Sequence, residues 1–238
     1  MKTQFEIGNI VVDVVLKDIK NIHLSVYPPN GKVRISAPSH MKIETIRIYA
    51  ISKLNWIKQQ QRKILGQERE TPREFLDLES HFVWGKRYLL KVKEIDEPPK
   101  IELKHNQMLL QVRSGSDEEK KQSIIEGWYR EQIRETLPPL IEKWERIIGV
   151  KIEQVFIQHM KTKWGGSNPT KNHIRLNTEL AKKPPECLEY ILVHEMVHLI
   201  EPTHNDRFVS LMNQFIPKWH YYREMLNQLP LRHEEWEY

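Results

Sequence analysis

Two imidazoles and a carboxylate stand close together at His194, Glu195 and His198, in the segment Leu192-Val193-His194-Glu195-Met196-Val197-His198-Leu199. Residues four apart on an α-helix differ by about 40° in direction and about 6 Å in height, so both histidines can face one ion. This HExxH spacing suits zinc, and Glu195 can reach a water in the ion's open coordination position. Zinc lowers the pKa of such a water towards about 7, and a carboxylate can take its proton as it attacks a carbonyl.

Catalytic zinc commonly takes three protein ligands, so a third is expected. Pro202 should end the helix at or before Glu201, because a residue preceding proline is pushed out of the helical region. Thr203 can cap a new helix, with Asp206 favouring its amino terminus. His204 then lies just past a sharp turn, where it can fold back on the ion. Its distance from His194 matches the third histidine of HExxHxxGxxH enzymes, with Glu201 in place of the glycine. The alternative third ligand is Glu224, on a later helix.

The elements around these residues follow from periodicity. Pro184-Pro185 marks a helix start, and Leu188, Ile191, Leu192, Val193 and Leu199 make that helix strongly apolar. Histidines and a glutamate buried there would be costly unless paired or bound to metal. Upstream, Lys151 to Gln158 and Asn172 to Asn177 read as strands flanking a tight loop, Lys163 to Pro169. Glu118 to Ile148 is a long helical pattern that Pro138 and Pro139 are expected to kink or split. In the first third, apolar residues alternate at Ile10, Val12, Val14 and Leu16, at Leu24 and Val26, and at Val33 and Ile35, as half-buried antiparallel strands do. A turn is expected at Pro28 to Gly31. One long amphipathic helix follows from Ile43 to Leu65, then a charged connection from Gln67 to Asp77. A hairpin over Phe82 to Val92 and further strands within Lys100 to Val112 come next. Ser114 to Asp117 breaks the pattern, so the expected division is a β-rich domain at 1–113 and a catalytic domain at 114–238.

The net charge of +5 is spread along the chain and interleaved with acidic residues, which points to a solvated surface rather than a nucleic-acid interface. Single Cys187 excludes an internal disulfide and a multi-cysteine zinc site. No apolar run is long enough to span a membrane, and residues 1–6 lack secretory-signal features, so a cytoplasmic location is expected.

The carboxy-terminal half resembles the YgjP-like metallopeptidases, related to the SprT-like zinc proteases. The resemblance rests on Lys161 to Gly165, Ile174 to Asn177, Tyr190 to Leu199 and His204 to Phe208. The strand pattern of the amino-terminal half, with Gly85 to Val92, extends it over nearly the whole chain. It implies one zinc held by His194, His198 and His204, with Glu195 as catalytic residue. Two positions depart from the family pattern: Gly166-Ser167-Asn168 stands where Ser-Cys-Ser is usual, and Val209 where tryptophan is frequent.

The expected fold is therefore α+β, an antiparallel β-rich region with one long helix followed by a mostly helical, zincin-like domain with a small sheet. The expected function is zinc-dependent hydrolysis of a peptide or unfolded protein by water activated at Glu195. Trp164 and Gly165 could line the substrate cleft, and His220, Tyr221 or Tyr222 could donate a hydrogen bond to the oxyanion. Two other readings use the same zinc: hydrolysis of a nucleotide phosphoanhydride, or a non-catalytic zinc-stabilised module that binds DNA. Neither is accompanied by a phosphate loop or nucleic-acid motif.

Overall fold

The structure, a computed structural model, describes residues 2–27, 30–66, 75, 77–160 and 163–228. The expected turn residues Pro28 and Pro29 and most of the connection after Gly66 lie outside these. Contacts divide the chain into two compact units, one running to Pro72 and the other spanning Arg73–Asn227.

The first unit is a four-stranded sheet of β1 (Lys2–Ile7), β2 (Ile10–Lys17), β3 (His23–Tyr27) and β4 (Lys32–Pro38), in the order β1-β2-β4-β3. The alternation read from the sequence buries Val12, Val14, Val33 and Ile35 with Ile46, Ala50 and Ile57 of the following helices. β2 and β4 run parallel, so the sheet is mixed rather than wholly antiparallel. The expected single helix is two, α1 (Ile43–Ser52) and α2 (Leu54–Leu65), broken where Lys53 leaves helical geometry at φ −101°, ψ 8°.

The second unit begins with β5 (Ser80–Val83), β6 (Lys86–Glu94), β7 (Lys100–Lys104) and β8 (Gln107–Val112), ordered β5-β6-β8-β7. These strands fall with the helices after them, not with the first sheet as the expected break near 114 implied. The cause is the core: Val83, Leu90, Met108, Leu110 and Val112 bury against Ile125, Tyr129 and Ile133 of α3 (Glu118–Ile148). Ser114 to Asp117 is a turn and a helix cap, where Asp117 Oδ1 accepts from Lys120 N–H at 2.8 Å.

α3 runs unbroken through Pro138 and Pro139, against the expected split. Both prolines face solvent, where the carbonyls of Arg134 and Glu135 that lose helical donors can bond to water. Ile133, Leu137 and Trp144 stay seated in the core on the opposite side. Trp144 Nε1 donates to Glu189 Oε1 at 2.9 Å, tying α3 to α4 (Pro185–Ile200). β9 (Gln154–Gln158), β10 (Gly165–Asn168) and β11 (His173–Asn177) form a small sheet ordered β10-β11-β9, and α4 packs on β10 and β11. α5 (Asp206–Phe215) and α6 (Trp219–Gln228) complete the unit. Among the described residues, no helix is long and apolar enough to cross a membrane.

Candidate metal centre

α4 starts at Pro185, whose missing N–H costs nothing in a first turn, and ends before Pro202, as the two prolines dictate. Ten of its residues are buried, including Glu195 and His198, so its polar groups sit within an apolar element. α5 is capped by Asn205, not Thr203: Asn205 Oδ1 accepts from Phe208 N–H at 3.0 Å. Thr203 turns back, its Oγ donating to Glu201 Oε1 at 3.0 Å. This tight link between α4 and α5 puts His204 beside the α4 histidines.

The imidazoles converge through one ring nitrogen each. His204 Nε2 lies 3.1 Å from His198 Nε2 and 3.2 Å from His194 Nε2. An ion about 2.0–2.1 Å from two tetrahedral nitrogens holds them about 3.3–3.4 Å apart. His194, His198 and His204 can therefore hold one divalent ion with little movement. Glu224 is not in this group. His198 Nδ1–H donates to the Glu201 carbonyl at 3.0 Å, which leaves the Nε2 lone pair facing the shared point. Phe208 floors the triad, its ring centroid 4.5–5.0 Å from all three imidazoles. Burial holds His194 neutral, with its pKa lowered to about 3, and the other two imidazoles and Arg223 push the same way. Burial lowers His198 too. Neutral imidazoles are the form that binds a metal. Among the described residues His194 Nδ1 is buried and makes no hydrogen bond, while Nε2 is the ring nitrogen directed at His204.

Glu195 is 6% exposed, and burial raises its carboxyl pKa to about 7. Opposing this are a Ser167 hydrogen bond and the positive charge of Lys163. A carboxyl so poised can exchange protons near neutral pH. Close by is β10, a strand where the sequence suggested only a loop. Its Gly165 and Ser167 alternate onto one face, and that face meets Glu195. A Cβ on Gly165 would lie 2.7 Å from Glu195 Oε1 and 2.9 Å from Ile191 Cγ2, so only glycine permits this approach. Gly165→Ala is expected to displace the carboxylate and lower kcat/KM by about 10²-fold with metal content unchanged. Gly166→Ala, which meets nothing within 4 Å, is the control expected to keep activity.

Asn177 secures the entry to β10. Its side-chain amide donates to the carbonyls of Met160 and Lys163 at 2.7 and 2.8 Å, and its oxygen accepts from Met160 N–H and Glu179 N–H at 3.3 and 3.1 Å. Trp164 is half-buried, its carbonyl accepting from Asn177 N–H at 3.0 Å. Of the α6 residues, Tyr222 packs 6.4 Å from the Tyr190 ring, and Tyr190 lies 5.9 Å from His194. Tyr221 is exposed, and exposed His220 stacks on Trp219 at 3.6 Å. Sequence reasoning missed Ser167, which a strand reading of Gly165 to Asn168 would have put on the glycine's face.

The YgjP-like metallopeptidase domain matches residues 20–229. The chain belongs to that family. It is a metallohydrolase. Among solved structures, the chain is similar to the metallopeptidase zymogens abylysin of Pyrococcus abyssi and jannalysin of Methanocaldococcus jannaschii. Abylysin is 22% identical, over 37% of this chain and 89% of that one, with a TM-score of 0.35. Jannalysin is 21% identical, over 42% and 94%, with a TM-score of 0.31. No curated protein matches the chain.

Proposed function

We propose that this protein is a zinc-dependent peptidase that hydrolyses extended peptides or unfolded proteins, in a cytoplasmic setting. The observation that carries the reading is the convergence of three Nε2 atoms beside the buried carboxyl of Glu195. A site with a purely structural metal has no use for such a base, and its burial is unfavourable without a purpose.

His194, His198 and His204 would hold the zinc, which when bound supplies Lewis acidity to the water and to the carbonyl. Glu195 takes a proton from the attacking water and later returns it to the departing amine, so that water adds across the C–N bond. Ser167 holds the Glu195 carboxyl in place, and Gly165 lets the strand come close enough for it to do so. The sheet order leaves β10 at an edge, where an extended peptide can pair with its main chain and lie alongside the carboxyl.

The test is a peptide-library digest with the zinc-loaded protein, the chelated protein and the chelated protein given zinc again. Cleavage is expected in the first, absent in the second and restored in the third. Cleavage that survives complete removal of metal would defeat the reading.

A further inference from the structure

The small sheet that carries β10 has a second edge. β9 pairs only with β11, so its outer N–H and C=O groups have no backbone partner among the described residues. Such a row is a template for another strand, and proteins commonly blunt it with charged side chains or proline. β7, an outer strand of the other sheet in this unit, carries Lys100, Glu102 and Lys104. β9 reads Gln154-Val155-Phe156-Ile157-Gln158, without charge, proline or glycine, and its three central residues are partly exposed. An open groove of about 300 Å³ runs between this strand and α3. Leu137, Pro138 and Ile141 line its helix side, with Ile152, Val155 and Ile157 opposite. Phe156 points to the other face of the sheet, its ring 5.5 Å from His173 and 6.0 Å from the Arg175 guanidinium.

We propose that β9 is an interface between two copies of this chain, which pair antiparallel along it about a two-fold axis at Phe156 and join two three-stranded sheets into one. The strand reads nearly the same in either direction, as a self-complementary two-fold contact requires. With Phe156 opposite Phe156 of the second copy, Val155 meets Ile157, Gln154 meets Gln158 and Glu153 meets His159. Apolar side chains thus face apolar ones, amides face amides, and the acid at each end faces an imidazole, so no like charges are set together. Parity brings Val155 and Ile157 of the second copy onto the groove face, where they extend the apolar row beside Leu137 and Ile141. A peptide substrate does not fit this edge in the same way. A strand added to β9 lies three strand spacings from β10, roughly 14 Å from the strand that meets Glu195. Pairing through β9 leaves both β10 edges at the outer ends of the joined sheet, open to substrate.

The test is the mass of the full chain by light scattering across a concentration series, for wild type, Phe156→Lys, Phe156→Glu and an equal mixture of the two variants. Wild type is expected to approach twice 28.6 kDa as concentration rises. Each variant alone sets like charges opposite each other and should raise the dimer dissociation constant by about tenfold or more. The mixture sets Lys against Glu and should recover most of the lost dimer. Circular dichroism of both variants should match wild type, because Phe156 lies outside the buried core. Hydrogen exchange needs no variant: the β9 amides of wild type should gain protection as concentration rises. A wild type that stays monomeric, a dimer that both variants leave intact, or β9 amides indifferent to dimer formation would overturn the proposal. The peptidase reading is decided separately, by cleavage.

Discussion

Glu195→Gln is expected to lower kcat/KM by about 10²–10⁴-fold while zinc content stays at the wild-type level. Glutamine keeps the shape that fits against Gly165 but has no lone pair basic enough to take the water proton, and the imidazoles that would hold the ion are untouched. The same substitution has a second, independent signature in the metal-free protein. Burial raises the Glu195 pKa to about 7 from an ordinary value of 4.5. Below pH 4.5 the group is protonated folded or unfolded and contributes nothing. Between 4.5 and about 7 the unfolded chain releases the proton and the folded one retains it, so wild-type stability falls as pH rises through that window. Above it the penalty is constant, at most about 3 kcal/mol. The metal-free Gln variant should therefore match wild type in melting temperature near pH 4 and exceed it at pH 8. Equal activity of the two proteins would remove Glu195 from the chemistry, and equal melting temperatures at pH 8 would show that its carboxyl is not held neutral by burial.

His204→Ala is expected to have the next largest effect, on metal binding. Loss of groups that merely orient a metal-bound histidine costs about 10–100-fold in affinity, and loss of the ligand itself should exceed that. His204 is exposed and follows the helix that carries the other two, so its removal should leave circular dichroism unchanged. Zinc dissociation constants from competition with a chromophoric chelator, for His204→Ala beside Glu224→Gln, decide the matter. A large loss in the first and none in the second is expected. The opposite pattern would make Glu224 the third ligand, despite its absence from the geometric cluster.

Much of the centre was legible in the chain itself, because its logic is local. The spacing of His194 and His198 is a property of any α-helix, the helix is bounded by Pro185 and Pro202, and the turn that brings His204 back follows from Pro202. Local rules erred where several devices compete at short range. Asn205 took the cap that Thr203 could have made, and the solvent-facing prolines of α3 were tolerated because the core stripe on its other side holds the helix together.

What required the tertiary structure was everything set by pairing across long stretches of chain. Gly165 to Asn168 has the composition of a turn and becomes a strand only because β11 pairs with it, which alone sets Gly165 and Ser167 against Glu195. Tyr222 comes to lie beside Tyr190 through a contact between α6 and α4 that no periodicity encodes. The strands β5 to β8 join the second unit through a buried core shared with α3, although a glycine turn separates them from that helix in sequence. The spacing of the clustered histidines was thus written in helical geometry, whereas the shape and electrostatics around them came from packing between distant segments, which no single stretch of sequence contains.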